Sequence, residues 1–108
     1  MEFKDRKFKF MDSVWTVRFV DRVELLDGQD PTATNFGLCD ADRRQIIIGL
    51  KDADGKPYRK EQVLQTLRHE LMHMIMFEGQ YLPCFNDEPL VEWLAKSVGV
   101  LLKTGLLV

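Results

Sequence analysis

Cysteine is scarce in this chain. Cys39 and Cys84 are the only two among 108 residues, so no disulfide framework is inferred, and two reduced thiols in a cytoplasmic protein are the expectation. Histidine is equally scarce, with two residues. Neither sign of charge dominates: 15 Lys and Arg stand against 17 Asp and Glu, which argues against a general binder of phosphate backbones and makes nucleic acid an unexpected partner. No apolar run approaches the ~18 residues of a membrane span; Ile46-Ile47-Ile48, for instance, ends at Gly49. The first residues, Met1-Glu2-Phe3-Lys4-Asp5-Arg6, are too charged for a secretory signal. Repeats and low-complexity tracts are missing too. What remains is 45% hydrophobic and 30% charged, the balance of one small globular domain over residues 1–108.

Two segments alternate with period two. Lys7-Phe8-Lys9-Phe10 and Trp15-Thr16-Val17-Arg18-Phe19 each place their apolar side chains on one buried face, and Asp12-Ser13 makes a hairpin of them. Leu26 to Pro31 is turn chemistry that opens a loop to about Asn35. A short strand from Asn35 to Cys39, containing Gly37, turns at Asp40 to Arg43 into Gln45 to Leu50. That run is continuously apolar, as an inner strand covered on both faces would be. The period then changes. Leu64, Leu67, Leu71, Met74 and Ile75 predict a helix over about 59–78, with Gly79 ending it in the left-handed conformation. Tyr81 to Phe85 reads as a connector. Asn86-Asp87-Glu88-Pro89 announces a second helix over about 87–103, with Leu90, Val91, Leu94, Val98, Leu101 and Leu102 as its stripe. Strands over about 7–50 followed by two helices make a small α+β domain with an antiparallel or mixed sheet.

His69-Glu70-Leu71-Met72-His73 stands out. At about 100° per residue, histidines four apart differ by only about 40° and one turn, so both imidazoles reach one metal ion from the same face. Glu70 falls about 60° beyond His73, in reach of a metal-bound water and badly placed to ligate. Two histidines scattered at random would form this pattern on the order of once in a thousand chains. Two imidazoles with oxygen donors suit Zn²⁺, one per chain, and a catalytic zinc needs a third protein ligand with a fourth position open. That ligand is expected to be Glu92, on a helix face where Ala95 and Gly99 permit close approach. Glu88, one turn earlier, is its main rival, with a plainer role as an acid at a helix N-terminus. Cys84 is the thiolate alternative and would make the site structural. Tyr81 and Tyr58 flank the helix, and Tyr81 is a candidate oxyanion donor.

Thr66 to His73, followed by Glu92-Trp93-Leu94-Ala95, resembles a minimal gluzincin metallopeptidase, closest to the small phage and bacterial ImmA/IrrE-like peptidases. The resemblance spans about Asn35 to Val98. It implies a zincin-like fold, a cytoplasmic setting and hydrolysis of peptide bonds in a peptide or protein substrate, with Glu70 as the base that activates a zinc-bound water. By the same likeness, substrate would lie along the strand containing Gly37 and Leu38. The chain lacks the Glu-Ala-Asn-type motif of ImmA-like proteins and any third histidine. It is also too short for the second lobe that completes the cleft in large gluzincins. A partner protein completing the cleft, or a non-catalytic zinc-stabilised regulatory module of phage origin, is the alternative expectation.

Overall fold

Phe8 sits directly opposite Trp15 across a tight hairpin, as the alternation predicts. The computed structural model describes residues 3–23 and 36–106; the predicted turn at Leu26 to Pro31 and the start of the third strand at Asn35 lie outside them. Strand β1 (Arg6–Phe10) is joined to β2 (Ser13–Val20) through Met11, which adopts φ 54°. Strands β3 (Gly37–Asp40) and β4 (Gln45–Gly49) follow, then helices α1 (Lys60–Glu78), α2 (Leu82–Phe85) and α3 (Glu88–Lys103). The sheet order is β1-β2-β4-β3, with β2 and β4 parallel and the other pairs antiparallel. The protein is therefore α+β with a mixed four-stranded sheet. Among the described residues no helix is long and apolar enough to cross a membrane.

Trp15 and Val17 of β2 share a face with Ile46 and Ile48 of β4, and Val63 and Met74 of α1 close over them. Fully burying side chains of this size is worth about 1.5–3 kcal/mol each, so this layer carries most of the fold. Strand β4 is an inner strand, but among the described residues helices cover only one of its faces. Ile46 and Ile48 are buried while Ile47, pointing the other way, is partly exposed, and among the described helices only α1 packs on the sheet.

The helix boundaries agree with the sequence reading, and their details differ. Helix α1 opens with Gln62 accepting the Arg59 N–H at 3.0 Å, and its buried positions are Val63, Glu70, His73 and Met74, with Ile75 exposed. Gly79 does not take the left-handed conformation expected of it: its φ is −81°, and Gln80 makes the turn at φ 63°. A side chain at Gly79 would meet the Tyr81 ring at 2.9 Å, which is the requirement for glycine there. The predicted connector contains the one-turn helix α2, started by Pro83 in its first turn. Asp87 caps α3 by accepting the Leu90 N–H at 3.2 Å.

Helix α3 lies on α1 through Val91, Ala95 and Gly99, its three buried residues. A Cβ on Gly99 would come within 3.0 Å of the Arg68 guanidinium, which pairs with Glu61 along one face of the same helix α1. The expected stripe is thus corrected: small residues face α1, and Leu101 and Leu102 are exposed.

Glu78, at the end of α1, gathers three donors: Trp15 Nε1 at 2.9 Å, Ser13 Oγ at 3.2 Å and Arg44 Nε at 3.0 Å. Burial pushes its carboxyl up, but the bonds from Arg44, Trp15 and Ser13 outweigh that and hold it below the usual range. Glu78→Ala leaves the buried indole N–H of Trp15 without its acceptor and should cost about 1–3 kcal/mol in urea denaturation at pH 7. A depressed folded pKa stabilises above the unfolded value of about 4.3 and is lost as pH falls through the folded one, so the gap between variant and wild type should narrow in acid below about pH 4.

Candidate metal centre

His69 and His73 project from α1 into a cleft of about 440 Å³ bounded by β3 on one side and by α2 and α3 on the other. Their rings lie 5.0 Å apart at 63°. Each Nδ1 has a partner that can only accept: the Phe85 carbonyl for His73, at 2.7 Å, and the Glu92 carboxylate for His69, at 2.7 Å. Nδ1 of each ring is thereby placed to donate, and each Nε2 is turned toward the cleft. Those two Nε2 atoms face one another at 3.3 Å, and the Glu88 carboxylate reaches them at 2.9 Å and 3.0 Å. Two ring nitrogens and a carboxylate thus converge on one point. A tetrahedral ion with bonds of about 2.0–2.1 Å to nitrogen needs its donors about 3.3 Å apart, so the pair has the spacing that a small cation fits.

Glu70 completes the group. It offers a carboxylate oxygen within 4.8 Å of the histidine ligand atoms, and His69, Glu70 and His73 together could hold one metal ion. Only 7% of Glu70 is exposed, and burial pushes its carboxyl up to about 7, with His69 drawing it down and Glu88 raising it. Its seat depends on Gly37. A Cβ there would meet Thr66 Cγ2 at 2.8 Å and Glu70 Cγ at 3.0 Å, so only glycine lets β3 run this close beneath α1.

The remaining sequence candidates divide. Gly37 and Leu38 both line the cleft, on the outermost strand of the sheet. Because the Phe36 carbonyl accepts from Gly49, antiparallel alternation aims the main chain of Leu38 at β4 and leaves that of Gly37 and Cys39 facing outward. Glu92 is in the cleft but touches the far nitrogen of His69, steadied by Gln65 Nε2 at 3.2 Å. Glu88 holds the position toward which both Nε2 atoms point. Tyr81 is 63% exposed with its ring against Gly79, and neither it, Tyr58 nor Cys84 lines the cleft.

Three contributors escaped the sequence reading: the Phe85 carbonyl, Gln65 and Cys39. A main-chain oxygen leaves no residue signature. Gln65 lies four residues before His69, on the same face of α1, and that spacing could have drawn attention to it. Burial, then Glu70 and Asp40, push the Cys39 thiol up to about 12, so it remains protonated beside the group. No family model, curated protein or solved structure matches this chain. Long-range ¹H–¹⁵N spectra of the imidazoles test the proton placement: both rings should carry hydrogen at Nδ1, and an Nε2–H tautomer in either would break the converging arrangement.

Proposed function

We propose that the cleft binds one zinc ion and hydrolyses peptide bonds. The observation that carries this reading is the meeting of two imidazole Nε2 atoms and a carboxylate at 2.9–3.3 Å, with a buried second carboxylate beside them. Borderline-soft nitrogen with oxygen suits zinc. His69, His73 and Glu88 would hold the ion, and Glu92 and the Phe85 carbonyl would orient the imidazoles, as acceptors on the far nitrogen do at histidine metal sites. Glu88 replaces Glu92 in the ligand set because Glu92 is engaged at Nδ1. Glu92→Ala should weaken zinc binding by about 10–100-fold, as loss of such an orienting group does, and Glu88→Ala by more. The opposite order in a competition titration would return the ligand role to Glu92.

When bound, zinc would polarise the scissile carbonyl and lower the pKa of a water from 15.7 to about 7. The chain's own part falls to Glu70. A carboxyl group pushed up to about 7 is matched to taking a proton from water near neutrality. As the water oxygen bonds to the carbonyl carbon, Glu70 accepts its proton; as the C–N bond breaks, Glu70 returns a proton to the departing amine. The outward-facing main chain of Gly37 and Cys39 would hold an extended substrate as an added strand.

One observation favours a second reading. The ligand candidates come from both α1 and α3, so an ion would tie the two helices together and add its binding energy to folding. A regulatory module, acting alone or with a partner protein across the open cleft, would need no more than that. Glu70→Gln separates the readings. It should keep zinc at one per chain and lower cleavage of a mixed peptide library by about 10²–10⁴-fold, the usual contribution of a positioned base. Turnover retained in the variant removes Glu70 as base, and a wild type that binds zinc and cleaves nothing supports the module.

A further inference from the structure

Fixed charge on the wall of the cleft is of one sign. Glu70, Glu88 and Glu92 line it, and among the described residues no Lys or Arg does. Glu88 and Glu92 together balance a divalent ion, so a loaded site has no net positive charge to draw an acidic side chain. Glu70 adds a negative charge whenever it is ionised. The carboxylates on α3 are also engaged already. Glu92 spends its two oxygens on His69 and Gln65, and Glu88 spends its own on the two Nε2 atoms. Two aromatic rings complete the wall. Phe85 meets the His73 ring at 5.1 Å and leans on Phe77 at 6.1 Å. Phe36 is 52% exposed, its ring backed at 5.2 Å by Tyr58, which packs against the core. Its carbonyl accepts from the Gly49 N–H at 2.8 Å, which ties the residue to the sheet. A half-exposed ring with a firm backing gains by being covered.

We infer that the cleft selects segments of chain that seat an aromatic or large aliphatic side chain on Phe36, and that it turns away acidic ones. The inference rests on the proposed hydrolysis and names what that site accepts. Pairing to the outward main chain of Gly37 and Cys39 is blind to side chains, so any preference comes from what borders the strand. Phe36 is the residue before Gly37, and a segment laid along β3 passes its ring. Rejection contributes as much as attraction. An acidic side chain entering the cleft gives up water and meets carboxylates with no cation beside them. A basic side chain is not repelled, but the oxygens of Glu88 and Glu92 are taken, so nothing anchors it. An apolar side chain asks for neither partner and covers the Phe36 ring.

Retention of a mixed library of short peptides, both ends blocked, on the zinc-loaded Glu70→Gln protein tests this without turnover. Retained peptides, read by mass spectrometry, should be enriched in Phe, Tyr, Leu and Ile. They should be depleted in Asp and Glu by about tenfold or more, the scale of a like-charge juxtaposition. Adding Phe36→Ala should lower the apolar enrichment by about three- to tenfold, the worth of covering part of one exposed ring. The depletion of acidic residues should persist, with zinc still at one per chain. Retention indifferent to acidic residues overturns the inference, as does an apolar preference that survives Phe36→Ala. The two readings fail separately. A wild type that cleaves nothing, beside a variant that retains apolar peptides, overturns hydrolysis and keeps the selection. A variant that retains no peptide overturns the selection, and cleavage by the wild type then still supports hydrolysis.

Discussion

The contact between α1 and α3 runs through Val91, Ala95 and Gly99, and the geometry of the cleft follows from it. Side chains this small let the two helix backbones approach until Glu88 and Glu92 are within 3 Å of the imidazoles. A Cβ at Gly99 would come within 3.0 Å of the Arg68 guanidinium, which is itself held by Glu61, so one of the two would have to give way. A displacement of an ångström is enough to undo hydrogen bonds of 2.7–3.0 Å, whose energy falls steeply with distance and angle. Gly37 does the same on the other wall, where it lets β3 pass beneath Glu70. Two absent side chains, one per wall, set the width of the site.

What was legible in the sequence was whatever depends on local periodicity. The hairpin of Phe8 and Trp15, both long helices and the histidine pair are readable because each is written in spacings of two, three or four residues. The stripe of α3 misleads because hydrophobicity is not the sign of burial on this helix. Close packing here rewards small size, and the larger apolar residues point outward. Which of Glu88 and Glu92 meets the Nε2 atoms was out of reach for a related reason. They are one turn apart on the same face, so spacing cannot separate them; only the direction of each imidazole, set by the Phe85 carbonyl and by Glu92 itself, tells them apart. Gly79 shows the limit of a residue preference: glycine ends the helix there, but for the room it gives Tyr81 and not for its φ.

Electrostatics explain why such a site would be coupled to the fold. Three carboxylates, those of Glu70, Glu88 and Glu92, stand around two imidazoles in a cleft partly closed to water. The repulsion between Glu70 on α1 and Glu88 on α3 acts across the α1–α3 seam and opposes the contacts that close it. The N-terminus of α3 offsets part of this, because its unpaired N–H groups carry partial positive charge next to Glu88. A divalent cation would reverse the sign of the remainder. Packing at Gly99 and charge at Glu88 are in this sense two halves of one interaction. The first brings α3 close enough for its carboxylates to reach the histidines, and the second makes that closeness costly until positive charge is supplied.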